Sequence, residues 1–228
     1  MKEIQVLSFD ADNTLWDFQK VMRHSLNQTL LALKEIDPIA HSALTVDKMI
    51  AIRNAVAENL KGIIINLEEI RLNAFRQTLE SVNRPNEELA SYLHEIYMKH
   101  RFEDIELYDD VVPTLEKLKE KYKLIIISNG NTYPKKCGLD NLFDHVFFAQ
   151  DIGYEKPDPR TFTIALQVIG YKNNQILHIG DSLKSDILGA NNAGIKCVWL
   201  NREKAENTTN YHVDYEISTL LELFDILL

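Results

Sequence analysis

Two aspartates two residues apart, Asp10 and Asp12, stand at the end of the largely apolar run Ile4-Gln5-Val6-Leu7-Ser8-Phe9. A turn there needs one such residue, and two carboxylates held close repel each other unless a cation or proton separates them. Three more polar clusters lie downstream. Ser128-Asn129-Gly130 puts a hydroxyl at the end of a second apolar run, followed by a glycine that lets backbone N–H groups face an anion. Glu155-Lys156-Pro157-Asp158-Pro159 supplies an ammonium, and Gly180-Asp181-Ser182-Leu183-Lys184-Ser185-Asp186 adds two carboxylates. Carboxylates, a hydroxyl and an ammonium brought together suit a dianion and a hard cation. Oxygen ligands completed by waters favour Mg²⁺, and no His/Cys cluster at these positions suits Zn²⁺.

Such residues meet only if each cluster sits at or after a strand end. Apolar, β-rich runs predict strands from Ile4, over Lys123–Ser128, Val146–Ala149 (after a helical stretch), Gln175–Asp181, Lys196–Leu200 and Tyr215–Ile217. Helical periodicity fills residues 110–122, 159–170, 183–193 and 220–227. Alternating strand and helix implies a parallel sheet covered by helices on both faces, with ligands at the carboxyl ends of the strands. From about Asp17 to Asp104 the pattern is helical throughout, with no convincing strand. One helix covers residues 18–36, a second runs from a Thr45 cap to Lys61, a third opens at Asn66, and Leu89, Leu93, Ile96 and Tyr97 mark a fourth. These four helices read as a small bundle inserted between the first two strands.

A chain of 228 residues with 45% hydrophobic and 26% charged residues suits one soluble α/β domain with an insertion. Its net charge of −9 argues against nucleic acid or an anionic membrane as partner. No apolar run approaches the ~18 residues of a membrane helix, and Met1-Lys2-Glu3 leads into a strand without a signal-peptide pattern. Cys137 and Cys197 lie far apart and read as free thiols of a cytoplasmic protein.

In chain order D-x-D-x-T, S-N-G, E-K-P-D-P and G-D-x-x-x-x-D resemble motifs I to IV of the haloacid dehalogenase-like (HAD) superfamily, over residues 4 to about 190. The resemblance implies the HAD fold: a Rossmann-like parallel sheet sandwiched by helices, with an inserted helical-bundle cap domain of type 1. The core would comprise residues 1–16 and 106–228, the cap residues 17–105. It further implies a phosphatase acting on a small phosphorylated metabolite, as monomer or homodimer. Asp10 would attack phosphorus, and Asp12 would protonate the leaving oxygen and later activate water. Ser128, Asn129 and Lys156 would bind the phosphoryl group. Asp10, the Asp12 carbonyl and Asp181 would hold Mg²⁺, with Asp186 a ligand or a support. Haloacid dehalogenase, phosphomutase and non-catalytic phosphometabolite sensor are the rival readings; a dehalogenase needs no leaving-group acid and usually lacks the second Asp of motif I.

Ordinary structural roles also stand open. Ser128 or Asp181 would cap a helix, Asp186 would lie on an exposed helical face, and Asn129 would only shape its turn. His178, inside an apolar strand, reads as a hydrogen-bonded core residue, and Trp16 as a hinge or pocket residue. Within the insertion, Arg23, His24, Asn27, Asn54 and Lys61 interrupt the apolar faces and are the candidates for contact with the leaving group.

Overall fold

A computed structural model describes Glu3 to Leu227; Met1, Lys2 and Leu228 lie outside the described residues. Six parallel strands make one sheet: β1 (Val6–Phe9), β2 (Lys123–Ser128), β3 (His145–Phe148), β4 (Ile176–Gly180), β5 (Lys196–Leu200) and β6 (Tyr215–Ile217). Their order across the sheet is β3-β2-β1-β4-β5-β6. The chain builds outward from β1 through β2 and β3, then returns to start the other half at β4. That reversal beside β1 is the switch point at which open parallel sheets bind ligands. β1 and β4 are buried at every position, as strands covered on both faces must be, whereas the edge strands β3 and β6 are partly exposed.

Phe18–Glu106 forms a compact unit of its own, and the residues up to Asp17 together with those from Leu107 form the other. The described residues of the helical unit hold α1 (Phe18–Ile36), α2 (Pro38–Ser42), α3 (Val46–Leu60), α4 (Leu67–Glu80) and α5 (Glu87–Glu103). Side chains of Asp37, Thr45, Asn66 and Asn86 accept backbone N–H bonds at the starts of α2 to α5. Each such cap is worth ~1 kcal/mol. The short α2 is a fifth helix where the sequence predicted four, since five residues are too few to display a helical period. Met22, Leu26, Leu30 and Leu33 of α1 pack with Phe75 and Leu79 of α4 and Leu93 and Tyr97 of α5. Burying each of these side chains contributes ~1.5–3 kcal/mol.

Arg101 follows Tyr97 by four residues and so falls on the buried stripe of α5. Its guanidinium stands 5.0 Å from the Phe18 ring centroid, and that of Arg53 stands 5.6 Å from it. Arg71 of α4 is buried as well.

The core unit adds α6 (Val111–Lys119), α7 (Ala149–Ile152), α8 (Pro159–Ile169), α9 (Leu188–Asn192) and α10 (Leu223–Leu227). Two expectations need correction. The predicted helix over 183–193 starts as a wide turn, Leu183–Ile187, with Ile187 N bonded to Ser182 O at 3.2 Å, and becomes α-helical only at α9. The helical stretch expected before β3 is, among the described residues, a single turn at Pro134–Lys136. Pro134 opens that turn, and Gly138 follows with a left-handed φ of 75° that no continuing helix adopts. Neither Cys137 nor Cys197 is in a disulfide. No helix among the described residues is long and apolar enough to cross a membrane.

Candidate active site

The sheet register brings the acidic clusters level. Phe9 pairs with Ile126 of β2 on one side and with Ile179 of β4 on the other. Asp10, whose N–H donates to Ile179 O at 2.8 Å, is therefore the first residue beyond the strand. Ser128 at the tip of β2 and Asp181 just past β4 flank it. Asn13, in the left-handed region at φ 64°, carries the loop round, while Thr14 N and Leu15 N donate to Ala11 O at 3.2 and 2.8 Å. Trp16 is buried and its Nε1 donates to Asp12 Oδ1 at 2.8 Å, so its ring orients the second carboxylate.

Gly130 lets the second loop close on the first. A Cβ built there would lie 2.7 Å from Asp12 Oδ2, so any side chain would push that carboxylate out of its position. Ser128 caps no helix: its Oγ accepts from Gly130 N at 3.1 Å, which leaves the O–H to donate to an anion. Asn129, expected to touch substrate, gives one donor and one acceptor of its amide to the lysine loop. Its Oδ1 accepts from Lys156 N at 2.7 Å and its Nδ2 donates to Lys156 O at 2.9 Å, so it acts on the site by clamping the lysine loop.

Lys156 is buried, and its Nζ donates to Asp10 Oδ1 (2.8 Å), Asp186 Oδ1 (2.7 Å) and Ile127 O (2.6 Å). Those bonds use all three ammonium donors. Asp186 is equally committed: besides Lys156 it receives His178 Nε2 at 3.1 Å and Ser182 N at 2.9 Å. It is buried rather than on an exposed face. His178 is bonded on its other nitrogen to Ser8 Oγ at 2.9 Å. A buried chain Ser8–His178–Asp186–Lys156 thus ends on Asp10. Asp181 takes Thr14 Oγ1 on its carboxylate at 3.2 Å and Trp199 Nε1 on its carbonyl at 2.9 Å; the turn after β4 is capped by Ser182, not by Asp181.

The electrostatics ask for a cation. Burial pushes the Asp10 carboxyl up to about 7 despite the Lys156 charge beside it. Burial, with repulsion from Asp10 and Asp186, raises Asp181 to about 8. Asp186 moves the other way: Lys156 and His178 outweigh its burial and hold it ionised. Burial keeps His178 neutral, and Lys156, though buried, is held charged by Asp10 and Asp186. Two carboxyls that prefer protons near neutrality lack positive charge. Oxygens of Asp10, Asp181 and Asp186 lie within 4.8 Å of one another, an all-oxygen set that fits a hard divalent ion.

A parallel sheet of this order with acidic loops converging at its switch point defines the class, and the sequence comparisons agree. The chain belongs to the haloacid dehalogenase-like hydrolase family, whose model matches residues 4–194. It is 28% identical over 206 residues to 5-amino-6-(5-phospho-D-ribitylamino)uracil phosphatase YigB of Escherichia coli, covering 89% of this chain and 86% of that protein. Among solved structures, a 2-haloacid dehalogenase from Pseudomonas syringae aligns with a TM-score of 0.85 at 27% identity over 98% of both chains. The HAD-hydrolase YfnB from Bacillus subtilis, solved bound to magnesium, aligns with a TM-score of 0.75 at 26% identity over 99% of both.

Some residues of the site escaped sequence reasoning. Ser8 and Trp199 carry no local signal; Thr14 was marked only as the end of the first motif and His178 only as a hydrogen-bonded core residue, and their partners, Asp181 and Ser8, lie 167 and 170 residues away in sequence. Arg202 bonds both oxygens of Asp110 at 2.9 Å and Thr14 O at 3.1 Å, bracing the first loop. In the helical unit, Arg23 pairs with Asp47 at 2.7 Å, His24 bonds Asp104, and Asn54 accepts from Arg53 at 2.9 Å. Asn27 and Lys61 are exposed. The cationic groups inside that unit are instead Arg71 and Arg101.

Proposed function

We propose that this protein is a Mg²⁺-dependent phosphomonoester hydrolase acting on a small phosphorylated metabolite through an aspartyl-phosphate on Asp10. The observation that carries this reading is the second carboxylate of the first loop. Asp12 is held by Trp16 and faced by Gly130, where a leaving-group acid belongs. A dehalogenase expels halide and needs no such acid. The likeness to a 2-haloacid dehalogenase favours that second reading by fold, without accounting for Asp12.

Lys156 occupies Asp10 Oδ1, so we assign the attack to Oδ2. That oxygen bonds to phosphorus as the ester P–O bond breaks, and Asp12 gives its proton to the departing alkoxide. Asp12 then takes a proton from the water that attacks phosphorus. The P–O bond to Asp10 breaks, inorganic phosphate leaves, and both carboxyls return to their starting states. Asp10, Asp181 and the Asp12 carbonyl would hold Mg²⁺, which would supply charge that offsets repulsion between carboxylate and phosphate dianion. Ser128 donates its O–H to the phosphoryl oxygens, and Lys156 sets Asp10 and adds positive charge. Asp186 positions Lys156. We read the helical unit as the cap that selects the leaving group.

Phosphate release from a panel of phosphorylated metabolites, with and without Mg²⁺, tests the reading. Activity should need Mg²⁺ and fall at least ~100-fold in Asp10→Asn. With an aryl phosphate, Asp12→Asn should accumulate protein one phosphoryl group heavier by intact mass. Halide release from 2-haloacids without any phosphate release would replace this reading with the dehalogenase one.

A further inference from the structure

The helical unit carries a second cluster of ligand side chains, of different chemistry. His24 lies on α1, His100 in the last turn of α5, and Asp104 is the residue that ends α5. The four-residue spacing of His100 and Asp104 puts both on one face of that helix, and packing of α1 on α5 brings His24 to them. His24 Nε2 stands 2.8 Å and His100 Nδ1 2.7 Å from one and the same oxygen, Asp104 Oδ2. The two rings meet edge to face with centroids 6.0 Å apart. Two imidazoles from different helices thus bring a ring nitrogen to one carboxylate oxygen.

Ligand atoms of the three residues lie within 4.8 Å of one another. A tetrahedral ion with bonds of ~2.0–2.1 Å requires donor atoms roughly 3.3 Å apart. Opening each nitrogen–oxygen pair by about half an ångström brings those two pairs to that spacing, and rotation of the two rings has to set their nitrogens, which lie within 4.8 Å, to it as well. The side chains are 43, 26 and 36% exposed, so water has access to complete the shell. Two imidazoles and a carboxylate suit Zn²⁺ and its neighbours, not Mg²⁺. The core set is all oxygen and has the opposite preference.

We infer that His24, His100 and Asp104 form a Zn²⁺ site, with His24 bound through Nε2 and His100 through Nδ1. The ion joins the first and last long helices of the unit and stabilises their packing. This inference is independent of the reaction proposed for the core.

The test uses the full-length protein, ¹⁵N-labelled and freed of metal by chelation, titrated with ZnCl₂ while the imidazole nitrogens are followed by NMR. His24 Nε2 and His100 Nδ1 should shift together and saturate at one equivalent for this site. Zn²⁺ at the core carboxylates has no imidazole ligand and moves neither. Millimolar Mg²⁺ should leave both unchanged. Zn²⁺ should also raise Tm by about 3 °C or more beyond any rise from the core carboxylates, so the rise should be smaller by that amount in His24→Gln, which keeps an amide to bond Asp104. Unmoved ring nitrogens at tenfold excess Zn²⁺, coordination through the other nitrogens, or an equal Tm rise in His24→Gln would each overturn the site.

Discussion

Replacing Asp181 by Asn should stabilise the metal-free protein, and by more as the pH rises. The carboxyl of Asp181 has an ordinary value of 3.8 and is raised to about 8 by burial and by the charges of Asp10 and Asp186. A raised value means that the unfolded chain releases this proton near pH 4 while the native state holds it to about 8. The native state therefore binds more protons through that window, and stability falls as pH rises across it. At pH 7 the native group keeps a proton that the unfolded group gives up freely, at a cost of roughly 4 kcal/mol if the group stood alone. Burial is the largest cause and Asn leaves a buried amide in its place at a cost of roughly 2 kcal/mol, so about 2 kcal/mol is the expected net gain. Asn retains an oxygen for Thr14 Oγ1, which bonds Asp181 Oδ1 at 3.2 Å. Urea unfolding of chelator-treated proteins at pH 5, 7 and 8.5 gives the difference directly. Mg²⁺ should then stabilise the wild type and do little for the variant, which reverses their order. A difference that does not change with pH, or a variant less stable than wild type at pH 8.5 without metal, would refute the electrostatic reasoning.

Lys156→Met removes the ammonium that bonds Asp10, Asp186 and Ile127 O, and stranding two buried carboxylates should cost about 3–5 kcal/mol near pH 8. The loss should shrink near pH 5, where the carboxyls can take protons, so equal losses in urea at both pH values would assign the lysine a packing role only. In Gly180→Ala the new Cβ would fall 2.2 Å from Asp186 Cγ, which must swing away from Ser182 N and Lys156. Stability should drop by about 1–3 kcal/mol and phosphate release at least tenfold; wild-type turnover in a folded variant would free Asp186 of its positioning role.

The linear order of residues carried the sheet and the family. Unbroken apolar runs such as Leu124–Ile127 mark strands buried on both faces; three of the polar clusters directly follow such strands, and the remaining one follows the short α7 after β3. Asp10 and Asp181 were legible for a related reason, since each stands directly after an apolar strand, and Asp12 and Lys156 through the motifs they belong to. The tertiary structure alone decided the roles of their neighbours. Asn129 and Lys156 are 27 residues apart and become a clamp only when two loops meet. Asp186 was legible as a metal ligand or a support of the site, but only the wide turn after β4 shows which side chains it meets, Lys156 and His178. His24 and His100 have no local reason to be neighbours, and helix packing sets their nitrogens on one oxygen. Periodicity reports which face of an element is buried; which side chains meet across elements depends on register and packing, which residue spacing along one chain does not encode.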